Sequence, residues 1–267
     1  MNLRICSLAS GSSGNCYVIS TDETMLLVDA GISCRQVEQR LDYAFGRSLD
    51  DIDAVLITHE HSDHIKGLAR LLKLKRRLAA NRETLDGIID CLGLEGEPEN
   101  PMIFNNGDTF EIGDIKIDTF STSHDAANPT GFAFENSGKR ICIVTDTGCI
   151  TDEIYDQMKR SDILVLESNH DENVLRMGPY PWFLKQRILS DRGHLSNETA
   201  SAALADIIAA EDSQKQRIVL LAHLSKENNF PEMALATMEN ILRENGCKAN
   251  SCIIRVLSRN EVSEIYG

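Results

Sequence analysis

The sequence predicts an α+β fold: two mixed sheets packed together, with helices outside. Three observations carry this. Short apolar or alternating segments bounded by Gly, Asn, Asp and Ser recur along the whole chain, as strands do. Segments with helical apolar spacing lie between them. Strands and helices do not alternate strictly: hairpins open both halves and helices follow, the pattern of two strand-rich sheets with an outer layer of helices.

In chain order, strands are expected over Arg4–Ala9, Cys16–Ser20 and Met25–Asp29, the first two joined by SGSSGN, whose residues tolerate tight geometry. A helix over Ser33–Phe45 starts on Ser33 as its cap. The apolar strand Asp53–Thr58 runs into His59, and a helix follows from about His64 to Lys73, with Leu68, Leu71 and Leu72 on one face. Arg77–Asn81 reads as a short strand before a helix over Glu83–Leu92. Thr109–Ser123 is two alternating strands around IGDI, and Gly131–Asn136 with Arg140–Thr145 a hairpin around SGK. Then come a helix over Asp152–Lys159, a buried strand over Asp162–Leu166, and an amphipathic helix over Asn197–Ala210 behind an Asn or Ser cap. A strand over Ile218–Ala222, a helix over Pro231–Asn245 opened by proline, and terminal strands over Ile253–Ser258 and Val262–Tyr266 complete the order. No repeat, low-complexity segment or linker interrupts residues 1–267, which read as a single domain.

The chain is 42% hydrophobic and 25% charged, which excludes disordered, collagen-like and coiled-coil classes. It has no apolar run of the roughly 18 residues a membrane span needs. The start, MNLRICSLASGSSGN, lacks a signal-peptide core, and the eight cysteines include no CxxC. A cytoplasmic protein with reduced thiols and no membrane association is therefore expected. A net charge of −14 argues against non-specific duplex binding, unless bound ions reverse the local sign.

The strongest signal is LITHEHSDHIKG, which places His59, His61, Asp63 and His64 within six residues directly after an apolar strand. His59 and His61 are two apart, so an extended backbone points both the same way. Asp63 and His64 sit where the chain turns into a helix and can aim at a second point. Such a set suits two divalent cations held side by side. Of seven histidines, three lie here. Among other polar groups, His124 follows IKIDTFSTS, Asp146 follows RICIVT, Glu167 follows DILVL and His223 follows IVLLA. With His59, these make five groups at the carboxyl ends of expected strands, where ligands converge.

HEHSDH, the preceding VDAG, a single His124, TDTG and a late histidine together resemble the metallo-β-lactamase superfamily. More narrowly, LASGSSGNCYVI, LVLESNHD, GHLSNETA and LAHLSKENN resemble its YycJ/WalJ metallohydrolases, relatives of ribonuclease Z and the β-CASP nucleases. The resemblance implies a four-layer αββα sandwich of two similar halves, roughly 1–120 and 121–267. It implies one ion on His59, His61 and His124, another on Asp63, His64 and His223, and Asp146 between them. Asp29, in VDAG, would orient a ligand imidazole from behind; otherwise it is a strand-end turn residue. Two divalent ions, less two carboxylates and a shared hydroxide, leave a local charge of about +1, which favours an anionic substrate. All donors are nitrogen or oxygen, so Zn²⁺, Mn²⁺ and Fe²⁺ all suit.

On this reading the shared hydroxide attacks phosphorus in line. His194, in GHLS, is the candidate proton donor to the leaving alkoxide, and Glu167 the carboxylate that orients it. With Asp63 they form the catalytic group. The plainer alternatives are a helix-start histidine and a structural carboxylate; His170 is open between pocket contact and local packing. Two stretches could meet a polymer. Lys66–Arg82 has seven basic residues and no acidic one, and Arg176–Arg192 interleaves the only tryptophan, Tyr180 and Phe183 with cations, a composition suited to base stacking. A solvated helix face and a capping helix are their alternatives.

The expected function is thus a dinuclear phosphodiesterase, an exonuclease on DNA or RNA ends, with no obligate protein partner. The alternative is a small-molecule hydrolase on the same fold, acting on a cyclic phosphodiester, thioester or lactone. A non-enzymatic metal-sensing module fits a complete ligand set less well.

Overall fold

A computed structural model describes residues 3–210, 216–248 and 250–267. The strands belong to two sheets, of six and seven strands. The chain divides into two compact units: one runs through Ser121 and takes in Ala126–Lys139 and Ser258–Gly267, and the other comprises Thr122–Asp125 and Arg140–Leu257.

In the first unit β1 (Arg4–Ala9), β2 (Cys16–Ser20), β3 (Met25–Val28), β4 (Ala54–Leu56), β5 (Arg77–Asn81) and β6 (Met102–Phe104) form the six-stranded sheet in chain order. β1 to β3 pair antiparallel and β3 to β6 parallel, so this sheet is mixed, as expected. β3 and β4 are buried throughout, which is why they read as continuous apolar runs. β6 has no counterpart in the sequence reading; three residues, two of them partly exposed, carry no periodicity. The unit also holds an antiparallel meander of β7 (Thr109–Ile112), β8 (Ile115–Ser121) and β9 (Thr130–Asn136).

Its helices are α1 (Cys34–Phe45), α2 (Ser62–Ile65), α3 (Leu68–Lys73) and α4 (Arg82–Leu92). α1 opens on Ser33 with a capping box: the Ser33 hydroxyl accepts the Gln36 N–H while the Gln36 side chain accepts the Ser33 N–H. Val37 and Leu41, one turn apart, bury its inner face. The single helix expected over His64–Lys73 is in fact two. Gly67 separates them: its N–H goes to Ala30 O at 2.7 Å, and a Cβ there would stand 2.2 Å from Ile32 O. The backbone docks directly on the loop after β3, which needs a residue without a side chain.

The terminal strand expected over Val262–Tyr266 is also corrected. Only Ile5 and Tyr266 form a bridge, because the Ser263 side chain, rather than a carbonyl, takes the Ser7 N–H at 2.9 Å and interrupts the ladder.

The parallel strands β10 (Lys139–Val144), β11 (Ile163–Glu167), β12 (Arg217–Ala222) and β13 (Cys252–Val256) follow. The second unit's helices are α5 (Asp152–Arg160), α6 (Glu172–Met177), α7 (Trp182–Ile188), α8 (Asn197–Ala209) and α9 (Pro231–Glu244). α8 packs on α9 and α5, and α9 on β13. Among the described residues no helix is long and apolar enough to cross a membrane.

Candidate metal centre

Each unit gathers its own polar cluster at strand carboxyl ends. In the first unit, β3 and β4 are in register with Val28 opposite Leu56, so Asp29 leaves β3 level with the residues leading to His59. Asp29 adopts φ 60°, a left-handed backbone that turns its carboxylate inward. Its Oδ1 accepts the Thr58 N–H at 2.9 Å, its Oδ2 accepts His64 Nδ1–H at 2.7 Å, and the Thr58 hydroxyl donates to the same carboxylate at 3.0 Å. With its proton so used, Thr58 Oγ1 accepts from His59 Nδ1, 3.0 Å away. One buried aspartate thus sets both imidazoles. Burial raises its carboxyl pKa, against the opposing pull of His64 and Thr58. His61 stands at the N-terminal boundary of α2 without a capping hydrogen bond, its ring centroid 4.6 Å from that of His59, and Asp63 lies in the first turn of α2.

The SGSSGN turn joins this cluster. Asn15 donates its backbone N–H to Asp63 O at 2.8 Å, and its amide nitrogen lies 3.1 Å from His64 Nε2. Gly31 wedges between them: a Cβ would fall 1.6 Å from Asp63 O. Gly31→Ala must therefore push the Asp63–His64 turn away. We expect it to destabilise the protein by about 3 kcal/mol and to weaken metal uptake, as read from urea midpoints and equilibrium dialysis. Unchanged midpoints would show that the turn gives way freely.

In the second unit, Val144, Leu166 and Leu221 are level across β10, β11 and β12, and Glu167 pairs with Ala222. Asp146, Glu167 and His223 therefore emerge from adjacent strand ends. Asp146 and His223 also take left-handed backbones, φ 56° and 55°. Such conformations cost of order 1–3 kcal/mol in a non-glycine residue and cluster where geometry serves function. Glu167 is fully buried. Its Oε1 accepts His194 Nδ1–H at 2.7 Å and His223 Nδ1–H at 2.8 Å; its Oε2 accepts the Thr147 and Leu195 N–H groups at 3.0 and 3.3 Å. Burial alone would raise its pKa, but the charges and hydrogen bonds of His194 and His223 prevail and hold it well below the usual carboxylate range. Asp146 Oδ1 lies 3.4 Å from His223 Nδ1 and 3.9 Å from His124 Nε2. His124 donates Nδ1–H to Gly193 O at 2.9 Å, and burial lowers its pKa, which favours the neutral imidazole that metal binding needs.

The donor chemistry fits a metal. His59, His64, His124 and His223 each engage Nδ1 with a hydroxyl, carboxylate or carbonyl, which fixes the ring with Nε2 on the opposite side, the orientation ligand imidazoles require; at His64 an ion would take the place of the Asn15 amide contact. Glu167 could be mistaken for a ligand, because Asp146, Glu167, His194 and His223 offer donor atoms within 4.8 Å of one another. Its four acceptor positions are already filled, however, so it orients histidines instead.

Thr58, Asn15 and Asp125 are additions the sequence reading missed. Asp125 follows His124 directly, with Oδ1 3.4 Å from His124 Nε2 and Oδ2 paired to Arg187. Adjacency to a candidate ligand was the available signal for Thr58 and Asp125. His170 is buried, its carbonyl accepts the Asn197 N–H, and neither ring nitrogen has a hydrogen-bond partner among the described residues. Burial lowers its pKa to about 4. In Lys66–Arg82, Lys75 pairs with Glu99, Arg76 with Asp50, and Arg82 with Glu97 and Asp86, so much of its charge is locally neutralised.

The family model described as "Beta-lactamase superfamily domain" matches residues 24–223. The chain is 42% identical over 247 residues to exodeoxyribonuclease YycJ of Bacillus anthracis, covering 92% of this chain and 91% of that protein. It is 41% identical over 239 residues to exodeoxyribonuclease WalJ of Streptococcus pneumoniae, covering 89% and 87%. Its fold matches the crystal structure of the metallo-β-lactamase fold protein YhfI from Bacillus subtilis with a TM-score of 0.73 at 14% identity, over 99% and 100% of the two chains.

Proposed function

This chain belongs to the metallo-β-lactamase superfamily, in the family of the exodeoxyribonucleases YycJ and WalJ, and on that premise we propose that it hydrolyses phosphodiester bonds at the ends of DNA strands. It is a metal-dependent hydrolase, and we place it in the cytoplasm with its substrate. One divalent ion is assigned to His59, His61 and His124, a second to Asp63, His64 and His223, with Asp146 shared. The observation that carries the reading is that four imidazoles are each tied at Nδ1 by a hydroxyl, carboxylate or carbonyl, which orients the ring as a ligand imidazole is oriented.

Bound there, two divalent ions such as Zn²⁺, Mn²⁺ or Fe²⁺ supply Lewis acidity and lower the pKa of water toward neutrality. The protein supplies the rest. Glu167 fixes the His194 tautomer through Nδ1 and stabilises its imidazolium, leaving Nε2–H for the departing alkoxide. The same carboxylate oxygen orients His223, so proton donor and ligand are set by one group.

The test is cleavage of end-labelled single- and double-stranded DNA by the Mn²⁺- or Zn²⁺-loaded protein, alongside a thioester and a cyclic phosphodiester. Progressive release of nucleotides from ends is the expected result. Turnover of the small esters alone would replace the nuclease with the small-molecule hydrolase.

A further inference from the structure

Trp182 and Phe183 stand side by side at the start of α7, 64% and 72% exposed, and Met177 at the end of α6 is 81% exposed. Exposed apolar side chains grouped in this way mark a contact surface. The exposure is not fraying, because the segment beneath is fastened at several points. Buried Lys185 donates from Nζ to Arg176 O and Gly178 O, both at 2.7 Å, which pins the turn between the two helices. At the other end of α7, Ile188 O accepts the His194 N–H at 3.0 Å.

Residues four apart share a helix face, so Phe183 lies one turn from Arg187. Arg187 pairs with Asp125, the neighbour of His124, and Arg192 Nη2 donates to His124 O at 3.2 Å. A single anchored segment therefore begins at exposed aromatic rings and ends at His194. Of the four cations between Arg176 and Arg192, Lys185 is buried, Arg176 pairs with Glu172 and Arg187 with Asp125, so Arg187 and Arg192, both exposed, are the guanidinium groups that flank the candidate site beside the rings.

We propose that Trp182 and Phe183 form a stacking platform for the bases of a single-stranded nucleic-acid end, beside the phosphodiester that His194 serves. This deepens the nuclease reading and rests on it. Aromatic rings next to cations bind bases without regard to sequence, which suits an enzyme that moves along a strand.

Trp182 is the only tryptophan, so the protein's emission reports on this site alone. The metal-loaded protein is titrated with a single-stranded oligothymidylate carrying hydrolysis-resistant phosphorothioate linkages. Saturable quenching is expected, and Phe183→Ala, which keeps the reporter, should weaken binding about tenfold. Trp182→Ala should raise KM for end-labelled DNA about tenfold and change kcat less than twofold. If wild type cleaves DNA but emission does not respond and Trp182→Ala leaves KM unchanged, the platform is overturned and the nuclease reading stands. If DNA is neither cleaved nor able to quench, both fail. A change in emission that follows protein concentration without oligonucleotide, with dimers in sedimentation, would assign the face to a second copy of the chain and overturn the proposal.

Discussion

Glu167→Gln is expected to lower phosphodiester turnover by about 10²–10³-fold. The carboxylate accepts two imidazole N–H groups at Oε1 and two backbone N–H groups at Oε2. A glutamine has one acceptor oxygen, so whichever way its amide faces, two buried donors meet an NH₂ group. Either the tautomers of His194 and His223 are lost, or the loops carrying Thr147 and Leu195 are released. Breaking a buried charged network of this kind typically costs about 3–5 kcal/mol. Steady-state rates on bis-(p-nitrophenyl) phosphate, with metal content and urea midpoints, test both consequences. The pH dependence has a definite sign. Because the folded-state pKa is depressed, the stability Glu167 supplies is complete above the ordinary glutamate pKa of about 4.3 and is lost as pH falls toward its own value. The gap between wild type and Glu167→Gln should be widest near neutrality and shrink in acid. A variant with wild-type turnover would remove Glu167 from the mechanism.

His194→Ala is expected to separate binding from chemistry. Its Nδ1 belongs to Glu167, and no ion is assigned to it. The variant should retain its metal and lose about 10²–10⁴-fold in kcat on DNA, whose alkoxide leaving group needs a proton. It should lose far less on bis-(p-nitrophenyl) phosphate, whose nitrophenolate departs unprotonated. Equal losses on both substrates would assign His194 to metal or substrate binding instead.

The candidate site was more legible in the sequence than the contacts around it. HEHSDH is local: its candidate donors and their spacing are fixed within six residues, so the motif and the strand-to-helix turn beneath it read directly. Asp146, Glu167 and His223 read because each ends an apolar run, and parallel register keeps those ends level. Contacts between distant segments carried no such mark. Glu167 was expected to orient His194 alone; that it also holds His223 depends on the register of β11 with β12. Asn15 reaches Asp63 only because Gly31 permits close backbone approach, and the same kind of approach at Gly67 split an otherwise continuous helical pattern. The charge of Lys66–Arg82 was plain in the sequence, but its partners Asp50, Glu97 and Glu99 were not.

Metal stoichiometry tests the central claim most directly. The protein, dialysed against buffer containing Mn²⁺ or Zn²⁺ and then freed of excess, should carry two ions per chain by elemental analysis. His223→Ala should carry about one, and chelation should abolish phosphodiester cleavage until metal is restored. A chain that binds no divalent ion, or that cleaves phosphodiesters equally well after exhaustive chelation, would contradict the account.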